Sequence, residues 1–427
     1  MGAQIPSSLD VLLYDRRIAI ISARHDVMTL EYASDSVLPL SPNLNPQEST
    51  IWQDRKPDKG PVASYVEGLL PENKTERRRI LAERGIIGLP TPYKLISAIG
   101  LDCPGAVRFC RHEDTKPLLD GAGDLIPLSE KQVDEQLGAL LLHRRSGTAE
   151  AARWSLPGYQ RKSAYRIKTD GSWWMPVGAE PTNAIVKPSV ASFYMQARNE
   201  RACLQAADDM GLPVAKTDTF TRAGADFVLS WRFDRTGNPD GHMERIHQMD
   251  FCQILGVTSD LKYEEDGGPS LETILHAAEN LNADMPYQIL QQTMYNILAG
   301  STDLHAKNMS VQLLPDGTYR LAPMYDVASF VPYAPLHELS FSYQVDGSAD
   351  FVDLCDEARW ERYAKRLGLD EHRIVAEFRR LRAFVPKRLL VRFADNIDGP
   401  IGDMMAKSLK TFWERTIHCE RKLDGNE

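Results

Sequence analysis

No apolar run in this 427-residue chain approaches the roughly 18 residues that a membrane-spanning helix needs; stretches such as LDVLLY are soon broken by charge. The opening MGAQIPSSLD has neither a basic start nor an apolar core, so no secretory signal is expected. Pro6 stands where the N-myristoylation pattern requires Ser or Thr, which argues against acylation of Gly2. Cysteine is scarce. Cys103, Cys110, Cys203, Cys252, Cys355 and Cys419 are scattered with no CxxC, a usage that excludes a disulfide frame and a zinc site and predicts reduced thiols. Positive charge is in deficit, 50 Lys+Arg against 59 Asp+Glu for a net charge of −9, which argues against autonomous binding to a polyphosphate backbone while leaving room for a local basic face to touch it. Internal repeats, low-complexity tracts and a Walker A sequence are absent. These absences describe a cytoplasmic protein with no membrane partner.

What remains is ordinary globular material, 43% hydrophobic and 26% charged, long enough for two or three domains. LDVLLYD and RRIAIIS read as strands. PVASYVEGLLPENKTERRRILAERG has helical spacing with a break at Pro71, and LSEKQVDEQLGALLLHRR is amphipathic. SAYRI, WWMPV and AIVKP are strand-like, with Trp173-Trp174 read as an apolar strand pair. From about Arg232 the pattern becomes mainly helical, and EHRIVAEFRRLRAFVPKRLLVRFAD is predicted as a helix bent or broken at Pro386. Arg77-Arg78-Arg79 and Arg379-Arg380 are assigned to solvated helix faces. A strand-rich first half and a helix-rich second half predict an α+β protein of two lobes.

Chemistry concentrates in GSTDLHAKNMSVQLLPDGTYRLAPMYDVASF, residues 300–330. Asp303 and Asn308 lie five residues apart in a polar loop that also holds His305 and Lys307. Two strand-like runs around the turn Pro315-Asp316-Gly317 then form a hairpin, which returns Asp326 to the neighbourhood of Asn308. Few oxygen ligands of low total charge suit Mg²⁺, which shares its other positions with water and phosphate. Phosphoryl transfer uses such a set: one carboxylate to accept a hydroxyl proton, an Asn and a second Asp to hold the metal. Alone, D-x-x-x-x-N is a common pattern; the hairpin and the returning Asp give it weight. Upstream, EPTNAIVKPS puts Lys187 on a short strand, and RWSLPGYQRKSAYRI puts Ser155, Gly158 and Lys162 in a turn ahead of another.

These ordered segments, together with GLLPENKTERR, AIGLDCPGAVRF, GLPVAKTDTF, RFDR, HQMDFCQILG, KYEEDGGPS, STDLHAKNMSV and APMYDVAS, resemble the HipA-like serine/threonine kinases, toxins of bacterial toxin–antitoxin pairs. The resemblance runs nearly end to end. It implies a two-lobed kinase-like fold: residues 1–110 an extra N-terminal subdomain, 111–231 a strand-rich kinase N-lobe, 232–427 a mainly helical C-lobe. It implies ATP and Mg²⁺ as cofactors. Asp303 would be the catalytic base, with His305 and Lys307 completing its loop; Asn308 and Asp326 would bind Mg²⁺. Lys187 would contact ATP phosphates, Ser155, Gly158 and Lys162 would belong to the phosphate loop, and Trp231 and Phe233 would lie beside the nucleotide. Ser155 would be the autophosphorylation site, silencing the kinase by expelling that loop. The implied partners are a HipB-like helix-turn-helix antitoxin, operator DNA mainly through that antitoxin, and a protein substrate of the aminoacyl-tRNA synthetase class. Nucleoid association would follow when the antitoxin is bound.

Three departures from the family stand out. Ser230-Trp231-Arg232 replaces an acidic approach to RFDR, Met249 replaces an acid in QMDFCQ, and Pro157 and Tyr159 stiffen the phosphate loop. Two other functions compete with the toxin kinase: a catalytically weak co-repressor that binds the antitoxin on operator DNA, and a small-molecule kinase. The complete set Asp303, Asn308, Asp326 and Lys187 favours the kinase over the co-repressor.

Overall fold

The computed structural model describes residues 5–57, 59–142 and 154–417. The described chain gathers into two compact units. The first holds the residues up to Pro188 together with Phe220–Lys262 and Ser310–Ala322; the second holds Ser189–Thr219, Tyr263–Met309 and everything from Pro323.

The first unit is built on sheets. Strands Ile51–Gln53, Val27–Tyr32, Arg16–Arg24, Ser8–Leu13 and Val107–Cys110 lie side by side in that order, all antiparallel. His25 and Asp26 form the two-residue link between the second and third in chain order, both at positive φ (52° and 63°), as the tight hairpin turn matching strand twist demands. A second sheet runs Ala225–Trp231, Ala184–Pro188, Ser163–Ile167, Trp173–Gly178 and Gly123–Pro127, with Thr217–Arg222 outermost beside the first of these. Helix Glu130–Leu141 covers this sheet with Val133, Leu137 and Leu140, packing onto Tyr165, Val186 and Phe227. Its start is fixed by a capping box in which Ser129 and Gln132 satisfy each other's backbone N–H groups. The helix ends at Leu141, and His143–Arg145 lie outside the described residues, as do Gly2 and Cys419.

Pro71 sits between helices Pro61–Gly68 and Lys74–Glu83, the second capped by Asn73, whose side-chain oxygen accepts from the N–H groups of Thr75 and Glu76. On that second helix the structure corrects the sequence reading of a solvated arginine triplet. Arg77 is buried, 2.5 Å from Glu67 Oε1, and donates to the Pro71 carbonyl as well. A guanidinium leaves water only where such partners await it.

The second unit is mainly helical: Gln196–Asp208, Leu271–Leu281, Met285–Ala299, Glu357–Arg366, Glu371–Asn396 and Gly399–Thr416. Strands are more frequent after Arg232 than the sequence suggests. In the first unit Arg235–Gly237 pairs with Met243–Arg245 and a three-stranded sheet joins His247–Asp250, Ser310–Leu313 and Tyr319–Leu321; in the second Ser340–Val345 pairs with Ser348–Asp350. Pro386 does not break its helix, which is continuous from Glu371 to Asn396. Phe378, Leu381, Val385, Leu389 and Phe393 are buried along it, and that packing outweighs the roughly 3 kcal/mol an interior proline costs. Among the described residues the five cysteines are buried and no helix is long and apolar enough to cross a membrane.

Candidate catalytic loop and phosphate loop

The catalytic-loop candidate is launched by helix Met285–Ala299, which ends at Gly300 in the left-handed region (φ 67°). A side chain here is excluded, because an added Cβ would lie 2.2 Å from Val331 Cγ2. The Ser301 N–H closes back on the Asn296 carbonyl, and the Phe330 N–H donates to the Gly300 carbonyl at 2.8 Å. Leu304, Ala306 and Met309 are buried and pin the loop from beneath.

Asp303 and Asn308 are half-buried, while His305 and Lys307 are buried. Asn308 folds back over the loop: its Nδ2 donates to the Asp303 carbonyl at 2.8 Å, and its backbone N–H to the His305 carbonyl at 2.8 Å. The amide nitrogen is thereby engaged, so the carboxamide oxygen is directed elsewhere and suits a metal ligand. Tyr263 donates its hydroxyl to Asp303 Oδ1 at 2.5 Å and sets its ring edge-to-face on His305, centroids 4.9 Å apart.

The hairpin expected after Asn308 is present. Val311 faces Leu321, Leu313 faces Tyr319, and the Ala322 N–H donates to the Ser310 carbonyl. Beyond it, Met324 exchanges backbone hydrogen bonds with Pro213 and Ala215, and Ser329 exchanges two with the Asn199 side chain. Between these anchors Asp326 is exposed at φ 60°, a left-handed conformation uncommon outside glycine. The Tyr325 hydroxyl donates to the Lys307 carbonyl at 2.7 Å, tying this segment to the catalytic loop. No group of three or more His, Cys, Asp or Glu among the described residues could cage a metal. One carboxylate and one carboxamide oxygen fit a hard, octahedral ion such as Mg²⁺ that takes its remaining ligands from water and phosphate.

The other predicted residues belong to the first unit. Lys187 lies on strand Ala184–Pro188 opposite Val228, and it is buried, unlike an incidental surface lysine. Trp231 ends the adjacent strand opposite Ala184 and packs half-buried against the sheet core. Phe233 is half-buried, its carbonyl accepting from Gln312 Nε2 at 3.2 Å.

The segment Trp154–Lys162 is an irregular loop ahead of strand Ser163–Ile167, as the sequence predicts. Ser155 is fully buried; its hydroxyl donates to the Leu69 carbonyl at 2.5 Å and its N–H to the Asp102 carbonyl. Gly158 (φ 101°) accepts from the Glu72 N–H. Lys162 Nζ donates to the Pro157 carbonyl at 2.6 Å, within the loop, and Gln160 donates to the carbonyl of Pro188, next to Lys187. In this conformation the loop is docked on the N-terminal section through Leu69, Glu72 and Asp102.

Two features escaped sequence reasoning. Tyr263 was visible only as the Tyr of KYEEDGGPS. The second feature is a buried ionic cluster around RFDR. Asp102 accepts from Arg235 Nη2 at 2.8 Å, Arg232 Nη1 at 3.3 Å and the Thr182 hydroxyl at 2.6 Å; Asp234 accepts from both arginines. Burial alone would raise the Asp102 carboxyl, but Arg235, Arg232 and Arg245 hold it well below the usual carboxylate range. Arg245 is pushed down to about 9 by burial, with repulsion from Arg235 and Arg108 adding to it despite Asp102. Of the departures noted above, Met249 is fully buried, and Asp250 caps helix Phe251–Leu255 in a capping box with Gln253. The capping part of that motif is intact.

A model of the HipA-like C-terminal domain matches residues 154–388, and one of the HipA N-terminal domain matches residues 9–110. The putative kinase Y4mE of Sinorhizobium fredii is 30% identical over 343 residues, covering 78% of either chain. The serine/threonine-protein kinase toxin HipA of Shewanella oneidensis is 25% identical over 90% of this chain and 88% of its own. A solved structure of HipA from Shewanella oneidensis, in a complex with HipB and its operator DNA, has a TM-score of 0.76 at 22% identity, covering 96% of this chain and 97% of that one.

Proposed function

This chain belongs to the HipA family of serine/threonine kinases, and from that premise we propose that it transfers the ATP γ-phosphate to a protein serine as the toxin of a toxin–antitoxin pair. The supporting observation is the catalytic loop itself. Asp303 stays half-exposed while its backbone carbonyl is gripped by Asn308, and Asp326 is held outward at a left-handed turn.

Asp303 accepts the substrate hydroxyl proton. Asn308 and Asp326 would hold Mg²⁺, which when bound neutralises phosphate charge. Lys307, with His305 beside it, faces the γ-phosphate; Lys187 contacts the α- and β-phosphates; Trp231 and Phe233 lie on the adenine side. Ser155, Gly158 and Lys162 form the phosphate loop, and Ser155 is its own kinase's target. A phosphate there adds nearly two negative charges beside ATP phosphates and disfavours the nucleotide-bound form.

In this reading residues 1–110 are the N-terminal subdomain, 111–231 the N-lobe and 232–427 the C-lobe. The partner is a HipB-like antitoxin, as in the solved relative, and the net charge of −9 leaves most DNA contacts to it. The target is an aminoacyl-tRNA synthetase, and the site of action is the bacterial cytoplasm, or the nucleoid with the antitoxin bound. The test is purified chain incubated with ATP and Mg²⁺. Phosphoserine at Ser155 that disappears in Asp303→Gln supports the reading. Complete absence of phosphoserine, before and after incubation, favours the co-repressor; turnover of a metabolite with no protein labelled favours a small-molecule kinase.

A further inference from the structure

We propose that Tyr263 is a positioning residue for phosphoryl transfer, fixing the Asp303 carboxylate from one side and the His305 ring from the other; this rests on Asp303 being the base. The hydroxyl reaches Asp303 Oδ1 at 2.5 Å, and the ring stands at 82° to His305. One side chain thus fixes two neighbours in the catalytic loop. Two rotatable bonds, χ1 and χ2, separate the carboxylate from the backbone gripped by Asn308, and the Tyr263 hydroxyl restricts both.

Tyr263 is itself held. Its carbonyl accepts from the N–H groups of Asp266 and Gly268, closing a turn completed by Gly267 at φ 84°. Glu264 Oε2 accepts from the Gln344 N–H at 2.9 Å, and the Ser342 hydroxyl donates to the Thr302 carbonyl. Strand Ser340–Val345 therefore braces both the loop that carries Tyr263 and the loop that carries Asp303.

A carboxylate offers about four lone-pair sites, so a tyrosine on Oδ1 and an incoming hydroxyl are compatible. In the transfer, the substrate oxygen bonds to the γ-phosphorus and its proton passes to the Asp303 carboxylate. The bond from γ-phosphorus to the β,γ-bridging oxygen breaks, and ADP leaves with that electron pair. A donor to the ionised carboxylate makes a strong, directional hydrogen bond, so the base is aimed before substrate arrives.

The test is Tyr263→Phe, which keeps the ring against His305 and removes only the hydroxyl. We expect kcat to fall by about tenfold or more, the worth of a hydrogen bond to a charged group, with KM for ATP unchanged within about twofold. A purely structural role would lower thermal stability or move kcat and KM for ATP together. If Tyr263→Phe fails to fold, a ring-fluorinated tyrosine at this position keeps the ring and changes only the donor strength of the hydroxyl, and kcat must then change with KM for ATP unchanged. Asp303→Asn is run alongside. Retained labelling there removes the base reading and this proposal with it. Inactive Asp303→Asn with wild-type kcat in Tyr263→Phe overturns the Tyr263 role alone.

Discussion

Asp102 and Asp303 are both aspartates in irregular segments, and their surroundings assign them opposite work. Asp102 is 6% exposed and spends its oxygens on Arg232, Arg235 and Thr182. Asp303 remains half-exposed, its backbone gripped by Asn308 and one oxygen steadied by Tyr263. A carboxylate enclosed by arginines stabilises a fold; one held still at a surface is available for reaction. The ionic cluster is the firmer of the two because removing a buried partner strands the others.

Four substitutions or conditions sharpen that contrast, the largest effect first. Asp303→Gln should cut phosphotransfer by about 10²–10⁴-fold, the usual range for a general base, while the urea unfolding midpoint hardly moves. An equal loss of stability would put Asp303 in the same class as Asp102. Asp102→Ala should destabilise by about 3–5 kcal/mol in urea unfolding, since Arg232 and Arg235 lose a buried counter-charge. A loss below about 1 kcal/mol would mean the cluster reorganises freely.

His247 gives a pH-dependent test of the same interior. Burial holds its imidazole down at about 4, against the opposing effect of its bond to the Leu40 carbonyl. Above the ordinary pKa of about 6.5 the ring is neutral folded and unfolded. As pH falls from there toward 4, the unfolded chain takes up a proton that the folded chain refuses. Stability should drop by about 3 kcal/mol over that window. The check is unfolding midpoints between pH 7.5 and 4.5 in wild type and His247→Gln; identical slopes would acquit His247. Least affected should be Arg392→Ala, which breaks a partly exposed pair with Asp209. Its cost should be about 1 kcal/mol or less in the same measurement.

The legible parts of this chain were the local ones. Alternation and turn residues locate several strands of the first unit, among them Ser8–Leu13, Arg16–Arg24 and Ala184–Pro188, and Asp303 with Asn308 is a spacing within a single loop. The hairpin to Asp326 follows from two strand-like runs around one turn. What escaped was joined across distance: Tyr263 meets Asp303 across 40 residues and Asp102 meets Arg232 across 130, with nothing in either neighbourhood to announce the partner. Arg77 was misassigned for the same reason, its carboxylate partner lying ten positions back on another helix. Pro386 was over-weighted because a local rule about proline ignores the buried row running beneath it.

The docking of Ser155 against Leu69 has a kinetic consequence. If Ser155 is the autophosphorylation site proposed above, a hydroxyl shut behind a backbone carbonyl would react only in the fraction of molecules whose loop has let go. Strengthening the seal would then lengthen the time a molecule stays active, and loosening it would shorten that time, with Asp303, Asn308 and Asp326 unchanged.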